Sequence, residues 1–183
     1  MDELLERSPD WKVVTTCRNR SWKEFSLLVF ACVPAREKKE DITDFAKGSY
    51  YWNLCLFNAA RLGYQDLVEY FSGWANMWDL GLKGAALGGH RDLVDFFISK
   101  GAKDWDLAIC YAAQGGHRDL VGFFISKGNH GWDMGMHGAA SGGHRDLVEF
   151  FISQGANDWN GSMSHAAGGG HRDLVNFFIS RCQ

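Results

Sequence analysis

The chain has 183 residues, 46% of them apolar and 22% charged, with a formal net charge of −3. These are the proportions of a folded globular protein large enough for a real core. The charge excludes the basic face that nucleic-acid binding needs, and no apolar run approaches the roughly 20 residues that span a bilayer.

The charge hides no asymmetry: residues 1–51 carry nine Lys/Arg and nine Asp/Glu, and residues 52–183 carry ten and thirteen. The N-terminus, Met1-Asp2-Glu3-Leu4-Leu5-Glu6, lacks the basic and apolar regions of a signal peptide. Five cysteines (17, 32, 55, 110 and 182) fall at unrelated spacings with no C-x-x-C pair, which predicts reduced intracellular thiols rather than a disulfide framework or zinc site.

Taken in order, residues 1–21 predict an N-terminal helical segment of one or two short helices, with apolar residues at helical steps (Trp11, Val14, Cys17). Residues 22–51 read as a worn first repeat. Asp41-Ile42-Thr43-Asp44-Phe45 parallels Asp92-Leu93-Val94-Asp95-Phe96. Clear units follow at 52–77, 78–104, 105–131, 132–158 and 159–183. Their histidines at 90, 117, 144 and 171 and tryptophans at 78, 105, 132 and 159 both advance by 27 residues. A fixed period of this length marks stacked repeats.

Each unit predicts helix, tight turn, helix. An Asp or Asn in second place (53, 79, 106, 133, 160) is positioned to cap the first helix. An Ala pair allows close helix approach. Gly-Gly-His ends that helix, with glycine supplying positive φ. Asp66, Asp92, Asp119, Asp146 and Asp173 complement the dipole of the second helix, whose Leu-Val-x-x-Phe-Ile positions give it a wide apolar face.

The pattern Ala-Ala-x-x-Gly-His-x-x-Leu-Val-x-x-Phe-Phe-x-x-x-Gly-Ala resembles the helix–turn–helix core of the ankyrin repeat. The likeness is clear over 52–183 and faint over 22–51. An ankyrin repeat has about 33 residues; the six missing here fall where ankyrins form their projecting hairpin finger. The resemblance implies an all-α, ankyrin-like helix–turn–helix solenoid with shortened or absent β-hairpin fingers, and Trp105, Trp132 and Trp159 plugging the joints. Units with Gly-Gly-His-x-Asp-Leu-Val and Phe-Phe-Ile-Ser-Lys-Gly-Ala are similar to the ankyrin-type proteins of giant DNA viruses of amoebae. That likeness implies a viral protein of the host cytoplasm, with nucleus or virion also open.

Catalytic readings of the motifs fail on their own terms. His-Arg-Asp-Leu is shared with the kinase catalytic loop, but the Asn, glycine-rich loop and Asp-Phe-Gly that kinases require are absent. The four aligned histidines cannot share an ion, because packed helices stand about 10 Å apart and zinc–nitrogen bonds are about 2 Å; each is expected to bond backbone at its turn. His130, His137 and His165 are scattered outside the ladder and are read as surface contacts. No enzyme, metal or cofactor is expected.

Function is sought where the copies differ. Three positions vary freely: Phe57, Lys83, Cys110, His137 and Ser164; then Asn58, Gly84, Tyr111, Gly138 and His165; then Arg61, Leu87, Gln114, Ser141 and Gly168. By the ankyrin resemblance the latter two columns line the groove that holds a protein partner. The candidate strip is Arg61, Leu87, Tyr111, Gln114, His137 and His165. Two alternatives accompany it. Met163, Phe177 and Phe178 on an uncovered last unit predict a homodimer. Cys17-Arg18-Asn19-Arg20-Ser21-Trp22-Lys23-Glu24-Phe25 resembles the later half of an F-box, without its Leu-Pro start, which implies a ubiquitin-ligase adaptor.

Overall fold

In a computed structural model of the chain, residues 49–73, 75–128 and 131–181 are described. The readings made for residues 1–48, the F-box likeness included, lie outside them. The described residues are helical, with no strand among them. The helices are α1 (Ser49–Arg61), α2 (Gln65–Phe71), α3 (Trp78–Gly88), α4 (Arg91–Ser99), α5 (Trp105–Gln114), α6 (Arg118–Ser126), α7 (Trp132–Gly142), α8 (Arg145–Ser153), α9 (Trp159–Gly168) and α10 (Arg172–Arg181). None of them is long and apolar enough to cross a membrane.

Packing is sequential. Each odd-numbered helix contacts the even helix that follows it and the odd helices of the neighbouring units. Helices of 7 to 13 residues are too short to persist alone in water, so their stability comes from this stacking. The core is a repeated layer. Phe97, Phe124, Phe151 and Phe178 are fully buried, as are Val68, Val94 and Val148 and the Ala pairs 59–60, 85–86, 112–113 and 139–140. Burying each such Phe contributes about 1.5–3 kcal/mol. Trp105 and Trp159, half-buried, lie with ring centroids 6.1 and 6.4 Å from Phe124 and Phe178 of their own units.

The turns form as glycine permits. Gly89, Gly116, Gly143 and Gly170, each second in its Gly-Gly pair, have φ between 76° and 80°. Gly101, Gly128 and Gly155, which end the second helices, are likewise left-handed.

The expected first-helix cap is corrected. The N-caps are Met77, Asp104, Gly131 and Asp158, one residue before each Trp, and only Asp104 and Asp158 accept a side-chain cap bond, from Leu107 and Gly161 N–H. The second-place residues reach further. Asp79 Oδ1 accepts from Lys103 and Asp104 N–H (2.7 and 2.9 Å), Asp133 Oδ1 from Asn157 and Asp158 N–H (2.8 and 2.9 Å), and Asn53 Oδ1 from Asn76 and Met77 N–H (both 3.1 Å). A carboxylate already inside the helix faces the loop that leads into the next unit, whose N–H groups have no helical partner. These side chains tie unit to unit rather than capping their own helix.

Candidate functional site

The histidine of each turn bonds backbone, but in the unit before its own. His90 Nε2 donates to Arg61 O (3.1 Å), His117 to Leu87 O (3.0 Å), His144 to Gln114 O (3.1 Å) and His171 to Ser141 O (3.0 Å). Each acceptor is a carbonyl near the C-terminus of a first helix, a group that lacks an intrahelical partner. The imidazole also covers the left-handed glycine of the preceding turn. A Cβ on Gly89 would stand 2.5 Å from His117 Cε1, and one on Gly143 2.5 Å from His171 Cε1. Glycine is therefore required there twice, for φ and for the ring.

Arg61, Leu87, Gln114 and Ser141 are the residues of the third variable column. Their carbonyls are held by the histidine ladder while their side chains differ. Arg61 is exposed; Leu87 and Gln114 are half-buried. Gln114 Nε2 lies 3.4 Å from Ser141 Oγ, so neighbours in the column touch along the stack.

The second column alternates. Gly84 and Gly138 press so close to the carbonyl oxygens of Phe57 and Cys110 that a side chain has no room. α3 and α7 thereby lie tight against α1 and α5. In the units between, Tyr111 and His165 occupy the position. Tyr111 meets Phe57 edge-on, centroids 6.3 Å apart.

The first column alternates too. Lys83 Nζ is 3.0 Å from Asp104 Oδ2, and two units on His137 Nε2 is 2.9 Å from Asp158 Oδ2. His137 also stacks on His165, with centroids 4.9 Å apart and planes at 18°. Between these pairs stands Cys110, whose thiol burial pushes up to about 11. It is a neutral thiol at physiological pH, which argues against a nucleophilic role.

Five of the six strip residues fall into two groups, and Tyr111 stands apart against Phe57. His137 and His165 come together, with Asp158, which the sequence reading missed. Arg61, Leu87 and Gln114 form the column over the histidine ladder. The signal for Asp158 was present: an Asp ends the inter-unit loop (104 and 158) only where Lys or His fills the first column. Among the described residues no group of three or more His, Cys, Asp or Glu is placed to hold a metal ion.

For the last unit, one expectation is corrected. Phe178 is fully buried, because it occupies the same core layer as Phe97, Phe124 and Phe151. Met163 and Phe177 are half-buried. The guanidinium groups of Arg145 and Arg181 cover the Phe177 ring at 4.8 and 5.0 Å. Among the described residues of this unit, Ile179 is 47% exposed, and Ala167 is exposed where Ala86, Ala113 and Ala140 are fully buried.

No protein-family model matches the chain, and no curated protein matches it significantly.

Proposed function

We propose that this chain is a non-catalytic protein-interaction scaffold, an ankyrin-like solenoid that holds a protein partner along the variable side chains of its first helices. The observation that carries this reading is the division of labour at the third column. The backbone of Arg61, Leu87 and Gln114 is fixed by His90, His117 and His144, while the side chains are free to differ. Such a scaffold can change its contacts without changing its fold, which suits recognition and has no use in a conserved reaction centre. The ankyrin resemblance, and with it a viral protein acting on host or viral proteins, supports the same reading.

The test is proximity labelling in host cells, comparing the parent chain with a variant whose strip charges are reversed or introduced at Arg61, Gln114 and His165. Loss of a defined set of neighbours in the variant is the expected result. An identical set from both refutes the assignment of the strip.

A second reading, self-association of the 183-residue chain through its last unit, is supported by the exposed Ala167 and Ile179. Light scattering over a dilution series decides it: a strict monomer at high concentration excludes it.

A further inference from the structure

One structural position in this stack holds a permanent cation in one unit and a titratable ring two units later. Lys83 pairs with Asp104, and His137 pairs with Asp158 in the same place. The histidine version has two further fittings. Gly161 stands where Leu107 stands beside the Lys83–Asp104 pair, and a Cβ on Gly161 would lie 2.7 Å from His137 Nε2, so glycine leaves the imidazole its room. The other fitting is His165, lying nearly parallel to His137 at 4.9 Å. An imidazole ring stacks well on a neutral imidazole and poorly on a second cation.

We propose that His165 is a pH-dependent latch on the joint between α7 and α9: neutral, it lies flat on His137; protonated, it leaves the stack and turns to solvent. The surroundings favour this. From α7 it faces His137, and from the cap of its own helix Asp158. Cys110 of α5, behind Gly138, holds an un-ionised thiol. α10, packed on the same helix, carries Arg172, Asp173 and Arg181 at exposed positions. α8 carries Arg145 paired with Glu149, and Asp146 paired with Arg118, all exposed. The charges that bear on His165 are therefore those of His137 and Asp158.

Burial of its inner face, followed by the neighbouring His137, holds the His165 imidazole below the ordinary histidine range, against a smaller opposing pull from Asp158. Asp158 is held below the usual carboxylate range, first by the Gly161 N–H, and stays ionised while His165 titrates. The outer edge of His165 is exposed, so the protonated ring has a path to water. Protonation of His165 therefore releases the latch. His137 and His165 both belong to the candidate strip, so the consequence for partner binding rests on that reading; the latch itself is a property of the chain alone.

The experiment is a histidine side-chain NMR titration of the full chain, following the His165 ring. The expected result is a His165 midpoint below that of an ordinary histidine, with the stacking-induced displacement of its ring signals lost as it protonates. His137→Lys copies the arrangement at Lys83 and places a permanent cation under His165, which moves the midpoint further down. His137→Phe keeps a flat ring without a charge and moves it up. These shifts are opposite in sign, so either variant alone is decisive. A His165 midpoint at the ordinary value, or one unmoved by the substitution, overturns the proposal. An ordinary titration alongside a strip that still captures its partner removes the latch only; a working latch on a strip with no partner removes the interaction reading only.

Discussion

The imidazole of His117 donates from Nε2 to the carbonyl oxygen of Leu87 at 3.0 Å, across 30 residues of sequence. That bond gives the Gly-Gly-His motif a role between units. Its histidine serves the unit before it, and the two glycines make space for imidazole rings rather than for a ligand. Removing it takes away a hydrogen bond, the ring that covers Gly89 and Gly115, and the partner of an orphan carbonyl. His117→Ala is expected to cost about 1–3 kcal/mol, as for a lost bond that leaves its acceptor unsatisfied. Urea unfolding followed by circular dichroism measures it. Because repeat stability is a sum over units and their interfaces, the loss should exceed that of an exposed substitution such as Lys100→Ala.

The glycines separate into those that are required and those that are not. Gly89→Ala meets both a φ of 78° and the His117 ring at 2.5 Å, and is expected to destabilise by more than about 1 kcal/mol. Gly122 lies within α6 with open space around it. There Gly122→Glu removes the cost of glycine in a helix and gives Arg118 the i,i+4 partner that Arg91 and Arg145 have in Asp95 and Glu149. It should stabilise by about 1 kcal/mol. Paired melting curves read both signs.

Ser162 is fully buried, and its Oγ has no hydrogen-bond partner. The same place in the unit 105–131 is filled by Ala108, also fully buried. Ser162→Ala is therefore expected to raise stability by about 1 kcal/mol, the cost of an unpaired buried hydroxyl. A melting temperature that falls instead would mean that the hydroxyl has a partner.

Stability should decline on the acid side in a definite order. His165 has its folded-state value below 6.5, the ordinary one. Above the ordinary value neither state holds the proton. As pH falls below it, the unfolded chain takes up a proton that the folded chain refuses, and stability drops until the folded ring titrates. Asp158 acts lower. Its contribution is complete above the ordinary carboxylate value of 3.8 and is lost as pH falls through its depressed folded value. His165→Gln removes the histidine contribution, so its melting temperature should fall less than the parent's between about pH 7.5 and pH 5. Parallel curves for the two proteins would contradict this.

Much of the fold was legible because the repeat shows where helices begin. Trp78, Trp105, Trp132 and Trp159 all start helices. The left-handed glycines and the Asp residues in the first turns of the second helices also stand where residue type placed them. The misses share one physical cause: local pattern does not reveal a partner one unit away. Asp79 reads as a cap because it begins a helix, yet its acceptor oxygen faces N–H groups 24 and 25 residues later. Phe178 reads as an open-end residue because it is apolar and terminal, yet it sits on the inward side of its own helix.

The His137–Asp158–His165 cluster escaped a reading that compared each copy with its neighbour. Comparing every second copy would have set Lys83 beside His137, Asp104 beside Asp158 and Gly84 beside Gly138.

Repeated residues hold the units together, and under the proposed function the variable ones recognise a partner. The most direct measurement is the unfolding free energy of an Arg61→Gln/Gln114→Lys double variant beside that of His117→Ala. The strip variant is expected to stay within about 0.5 kcal/mol of the parent, as surface substitutions do, while the ladder variant loses at least about 1 kcal/mol. A strip variant that loses as much as His117→Ala would show that these side chains are part of the scaffold, and the assignment of the strip to recognition would be contradicted.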